Sequence, residues 1–204
     1  MVKITQTDFI DFISRSGTSK LSKVRTLFTR PDYHPSLDFY KPLREEIVEN
    51  LKLQKAKKEL FDFLDELKTS KKYSRYLPLI DGYTKFLGRK KAQWFEPPST
   101  VWKYKELQIK MNPELGICFG DERYIIKLYF KDTSLQRKDI KVLLWMMDQT
   151  LCTGIFQGYR SALLDVERSK LHYSNAKEQT LNALLEGEAE SFLRMWQSFE
   201  QKSA

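Results

Sequence analysis

Three side chains in the second half of this sequence, Glu114, Lys127 and Asp165, are of types that handle phosphate chemistry. A carboxylate can hold a divalent cation, and a nearby lysine can orient water or stabilise charge building on a phosphoryl group. Glu114 precedes the apolar stretch 115–119, and Lys127 lies within 124–131, beyond the turn-forming Gly120-Asp121-Glu122-Arg123. Side-chain alternation in both stretches predicts a β-hairpin with an acid on one strand and a lysine on the next. On the second strand Tyr124, Ile126, Leu128 and Phe130 form the expected core face. Ile125, Lys127, Tyr129 and Lys131 share the other, which puts Lys127 on a solvent face or in a basic groove.

A hairpin of this kind, followed by a helix and another strand, resembles the metal-dependent nucleases of the PD-(D/E)xK type. Those enzymes place an acid on one hairpin strand and acid-x-Lys on the next. Glu114 and Lys127 match in kind. Ile125 stands where the second metal-holding carboxylate belongs, and Glu122 or Asp165 would have to replace it. The resemblance is confined to this stretch and implies a degenerate phosphodiesterase site.

Other constellations are sparser. The two histidines, His34 and His172, occur in no metal-ligand spacing, so no metal or other cofactor is expected. Asp165 and Glu167 near His172 could form a general acid–base pair, provided that Asp165 and His172 prove to be cross-strand neighbours. Ser14-Arg15-Ser16-Gly17-Thr18-Ser19-Lys20 has phosphate-loop flavour but lacks the second glycine and a preceding strand. It reads as a helix–turn–helix connector whose second helix, bearing basic residues, could enter a DNA groove. Cys118 and Cys152 sit among apolar residues and read as buried, unreactive thiols in a reduced cytoplasmic setting.

The charge distribution speaks more strongly. Up to Lys91 the chain has 20 Lys+Arg against 12 Asp+Glu, and from Ala92 onward 15 of each, so the whole net charge of +8 lies in the first part. Lys20, Lys23, Lys55, Lys58, Lys71, Lys72, Arg75, Arg89, Lys90 and Lys91 are the candidate phosphate contacts. Lys52, Lys57, Lys68 and Lys85 lie in the same clusters, and Tyr73, Tyr76, Tyr83 and Trp94 are close enough in sequence to stack on bases. Acids one helical turn away, among them Glu45, Glu49 and Asp65, could instead neutralise them on an ordinary helix exterior. The leading expectation is a non-catalytic, nucleic-acid-associated protein. The alternative is a protein-partner or self-association module that docks through the apolar C-terminal helix or the aromatic loop 33–40.

The elements that must position these residues follow from periodicity. Helix-like spacing marks a short helix from Thr7 or Asp8, another from Thr18 or Ser19, a long one from Leu43 past Leu60, and one ending at Gly88. Beyond Pro97-Pro98, Leu107, Ile109 and Met111 alternate as a strand. With the hairpin, this strand predicts a three-stranded antiparallel meander. A buried helix capped by Thr133 or Ser134 follows, then a hairpin over 163–166 and 171–173, then an amphipathic helix capped by Asn175. The expected fold is α+β: a basic helical lobe over 1–91, then over 92–204 a mainly antiparallel sheet of about five strands covered by two helices. The two parts could form one compact unit. At 41% hydrophobic residues the chain can bury a real core. Its N-terminus lacks the apolar run of a secretory signal, and the apolar run 142–147 is far short of a membrane span, so a soluble protein without membrane contact is expected.

Overall fold

The computed structural model describes residues 1–31, 38–174 and 181–203. His34, most of the aromatic loop and the Asn175 cap lie outside them. Among the described residues there are seven α-helices and two sheets. The helices are α1 (Gln6–Ile13), α2 (Thr18–Phe28), α3 (Lys41–Lys52), α4 (Lys58–Asp65), α5 (Lys72–Leu87), α6 (Arg137–Leu151) and α7 (Leu181–Ser203). The strands are β1 (Val2–Thr5), β2 (Gln93–Phe95), β3 (Thr100–Tyr104), β4 (Leu107–Met111), β5 (Leu115–Phe119), β6 (Glu122–Tyr129), β7 (Arg160–Asp165) and β8 (Lys170–Tyr173). No helix among the described residues is long and apolar enough to cross a membrane.

The large sheet has the order β2-β5-β6-β7-β8 and is antiparallel except where β6 runs parallel to β7. A parallel pair needs a crossover, and α6 supplies it. This is the α+β fold with a five-stranded sheet that the residue pattern predicts. The meander, however, divides. Leu107–Met111 does not join the hairpin but forms a small sheet of order β1-β4-β3. Asn112-Pro113 stands between β4 and β5, and proline cannot continue a ladder. β1 pairs in parallel with β4, Val2 opposite Leu107. Its Thr5 then caps α1 in a capping box with Asp8, two residues before Thr7, the earlier of the expected caps.

Helices cover both faces of the large sheet. One core joins α3, α4 and α5 to Leu115, Ile117, Tyr124, Ile126, Leu128, Ala162 and Leu164. The other joins α1, α2, α6, α7 and the small sheet to Ile125, Tyr129 and Leu163. The helices of residues 1–91 are therefore shared between two cores. Strand β6 is buried on both faces, and the expectation of a solvent-facing Lys127 fails for that reason: the second core closes over it, leaving Lys127 3% exposed.

The long helix expected past Leu60 breaks after Lys52. Gln54 adopts a left-handed backbone (φ 53°), and residues 53–57 double back before α4 starts. The buried Asn50 stabilises this reversal, donating its side-chain amide to the Ala56 carbonyl at 3.1 Å, while its own carbonyl accepts from the Lys55 N–H at 2.9 Å. Gly88 (φ 50°) ends α5 and releases the chain toward β2. Gly82 on α5 meets the turn after β7 so closely that a β-carbon there would sit 1.9 Å from the Val166 carbonyl oxygen.

Candidate nucleic-acid interface

Glu114 and Lys127 do meet. Lys127 Nζ lies 2.5 Å from Glu114 Oε1, Leu128 N–H donates to Glu114 Oε2 at 2.8 Å, and Lys127 also reaches the Asn112 carbonyl at 3.3 Å. The Arg44 guanidinium, which also pairs with Asp38, stands 4.0 Å from the same carboxylate. Both partners are almost fully enclosed, their side chains 4% and 6% exposed. Ile125 is fully buried and supplies no oxygen. Asp165 is bound by Arg168 at 3.1 Å, and Glu122 by Arg160 at 3.0 Å. No group of three or more His, Cys, Asp or Glu among the described residues could hold a metal ion.

His172 lies opposite Leu163, and Asp165 lies opposite Lys170, so the general acid–base pair does not form. Burial, helped by the Lys170 charge, pushes the His172 pKa below its ordinary value. The two cysteines are free and half-buried. Burial raises the Cys152 thiol to about 11, the wrong direction for a nucleophile at neutral pH.

The basic residues separate into three groups. Lys20 and Lys23 are committed to internal ion pairs. Lys20 binds Glu188 of α7, whereas Lys23 bridges Asp8 and Asp11 at 3.2 and 3.1 Å. Neither leaves α2 a free basic face for a DNA groove. Lys71, Lys72 and Arg75 lie at the start of α5. Arg75 faces Asp132 at 3.6 Å and the Tyr40 hydroxyl at 3.4 Å, and Lys72 lies over the Phe39 ring. The third group, at the other end of this helix and roughly 24 Å away, is the dense one.

There the reversed segment after α3 meets the exit of α5. Gln54 ties them together, its amide donating to the carbonyls of Leu51 at 2.8 Å and Ala92 at 3.2 Å. Between the two segments lies a cleft of about 410 Å³ whose lining includes Asn50, Gln54, Lys55, Lys57, Lys90 and Lys91, with no carboxylate among its lining residues. Residues 51–58 and 85–91 carry Lys52, Lys55, Lys57, Lys58, Lys85, Arg89, Lys90 and Lys91 and no acid at all. Lys55 pairs with Glu49 at 2.7 Å, and that hydrogen bond raises the lysine's pKa. Lys52 faces Glu96 at 3.7 Å, and Lys57 donates to the Gly88 carbonyl. Lys58, Arg89, Lys90 and Lys91 are exposed and have no ion-pair partner among the described residues. The Lys90 ammonium lies 5.1 Å from the Phe119 ring centroid and 5.4 Å from that of Phe86.

Of the candidates, Lys55, Lys90 and Lys91 line this cleft, Lys58 and Arg89 adjoin it only in the chain, beside Lys57 and Lys90, and the other five do not join them. Gln54 and Asn50, which organise the cleft, carry no chemical signature a linear reading would select. The acid-free runs 51–58 and 85–91 are the signal that marks it. Tyr76 and Tyr83 are fully buried and offer no stacking surface. The apolar face of α7 is likewise occupied within the chain: Leu185, Ala189, Phe192 and Leu193 are buried in the core it shares with α2 and α6. No protein-family model matches this sequence, and no curated protein sequence matches it.

Proposed function

We propose that this chain is a non-catalytic nucleic-acid-binding protein that grips backbone phosphates through the lysine cleft at the junction of α3, α4 and α5. The observation that carries the reading is the meeting of two acid-free, lysine-rich segments around one cleft, with four of their cations exposed and without an ion-pair partner among the described residues. Such a cluster repels itself in the free protein and gains by replacing counterions on a polyanion. The Glu114–Lys127 pair favours binding over cleavage, because each group neutralises the other inside the fold.

The test is binding of labelled duplex and single-stranded oligonucleotides at two salt concentrations. Affinity should fall steeply with salt. Lys90→Ala and Lys91→Ala should each weaken binding uniformly across sequences and reduce the log–log salt slope by about one. Absence of binding at low salt refutes the proposal.

A further inference from the structure

The lysine cleft opens onto one end of the large sheet. Gln93 begins β2 opposite Cys118, Phe119 ends β5, Glu122 begins β6, Arg160 begins β7 opposite Tyr124, and Tyr173 ends β8 opposite Ala162. By these registers Phe119, Tyr124, Arg160 and Tyr173 share the face that packs on α3–α5. Their side chains form an unbroken series. Lys90 covers the Phe119 ring, Phe119 lies 6.3 Å from Tyr124 between centroids, and Tyr124 lies 5.9 Å from Tyr173. The Arg160 guanidinium sits 5.5 Å over Tyr173. Tyr124 is buried and backs the series, whereas Phe119 is half-buried and Tyr173 is 40% exposed.

Resting on the phosphate-binding reading of the cleft, we propose that this strip is a stacking track that makes single-stranded nucleic acid the preferred ligand. The strip spans three strand spacings, roughly 14 Å. Each end pairs a cation with a ring that solvent reaches. Aromatic faces stack on unpaired bases of any sequence, and flanking cations hold the backbone. A duplex offers its phosphates to the lysines but keeps its bases from the rings. Two carboxylates oppose a polyanion at this end: exposed Asp121 in the β5–β6 turn, and Glu122, which pairs with Arg160 at 3.0 Å and accepts the Tyr124 hydroxyl at 2.8 Å.

Fluorescence anisotropy on the full chain, with labelled single-stranded DNA, single-stranded RNA and duplex DNA of equal length, tests the proposal. At least one single strand should bind about tenfold tighter than the duplex. Its identity then shows whether the sugar matters. Tyr173→Ser changes an exposed ring and leaves the core intact. It should cost single-strand affinity about tenfold and leave duplex affinity unchanged, and Glu122→Gln should raise affinity for all three probes. Equal binding of single strand and duplex, with Tyr173→Ser inert, overturns the track but leaves the cleft reading standing. No binding of any probe overturns both.

Discussion

Removing both partners of the buried Glu114–Lys127 pair should destabilise the fold by less than the two single removals sum to. Breaking such a pair typically costs about 3–5 kcal/mol, because the remaining charge stays buried without its counter-ion. The geometry ranks the two single substitutions. In Lys127→Met the Glu114 carboxylate keeps the Leu128 N–H at 2.8 Å and gains weight from Arg44 at 4.0 Å, so the loss should fall near about 3 kcal/mol. In Glu114→Gln the ammonium retains only neutral acceptors, the new amide oxygen and the Asn112 carbonyl at 3.3 Å, and the loss should approach about 5 kcal/mol. At about 2–4 °C per kcal/mol for a chain of this size, the two variants should melt roughly 6–12 °C and 10–20 °C below the parent. The double variant should show a coupling energy of at least about 2 kcal/mol in a urea-denaturation cycle. Additive losses, or a Lys127→Met variant as stable as the parent, would refute the reasoning and mark Lys127 as a group held for chemistry rather than for the fold.

Burial alone would raise the Asp8 carboxyl, but paired bonds from Arg30 at 2.7 and 3.0 Å and the Lys23 charge outweigh it and hold the pKa at about 2, against 3.8 unperturbed. A depressed folded-state value means stability that is complete above pH 4 and lost as pH falls through 2, so Asp8→Asn should cost about 2 kcal/mol at neutral pH and flatten the acid limb of a denaturation curve. Tyr83 buries a hydroxyl that has no hydrogen-bond partner among the described residues, and Tyr83→Phe should raise the melting temperature, equivalent to about 1 kcal/mol. Gly82→Ala should lower stability by at least about 1–3 kcal/mol in chemical denaturation, since the added methyl collides with the Val166 carbonyl.

Much of the fold is legible where local pattern and tertiary role agree. The hairpin of β5 and β6, the amphipathic α5 ending at Gly88 and the buried α6 are all readable from periodicity. Strand β1 is not, because four residues pair with a partner more than a hundred positions away and carry no turn signal of their own. Nor is the burial of Lys127. Alternation says which residues share a face, whereas the covering of that face depends on α1, α6 and the small sheet. The break after Lys52 is equally hidden, since it rests on a left-handed glutamine and a buried asparagine bond instead of on glycine or proline. For the candidate interface, the composition of its two segments is plain in the chain. Their meeting is a product of that break, whereas the exclusion of Lys20 and Lys23 follows from carboxylate partners on α7 and α1 that local sequence does not reveal.

The core that holds α1 and α2 draws its partners from the far end of the chain: Phe12 packs edge-on against Phe192, and Phe28 against Trp196 and Phe199. During synthesis these two helices emerge early, and although β1, the small sheet and α6 can pack on α1 sooner, Phe12 and Phe28 lack their α7 partners until that helix has been made, on the order of ten to thirty seconds later at usual ribosomal speeds. The core around α3–α5 needs nothing beyond Leu171 and can close first. For that interval the nascent chain can carry a closed core around α3–α5 while Phe12 and Phe28 still lack the α7 rings that pack on them.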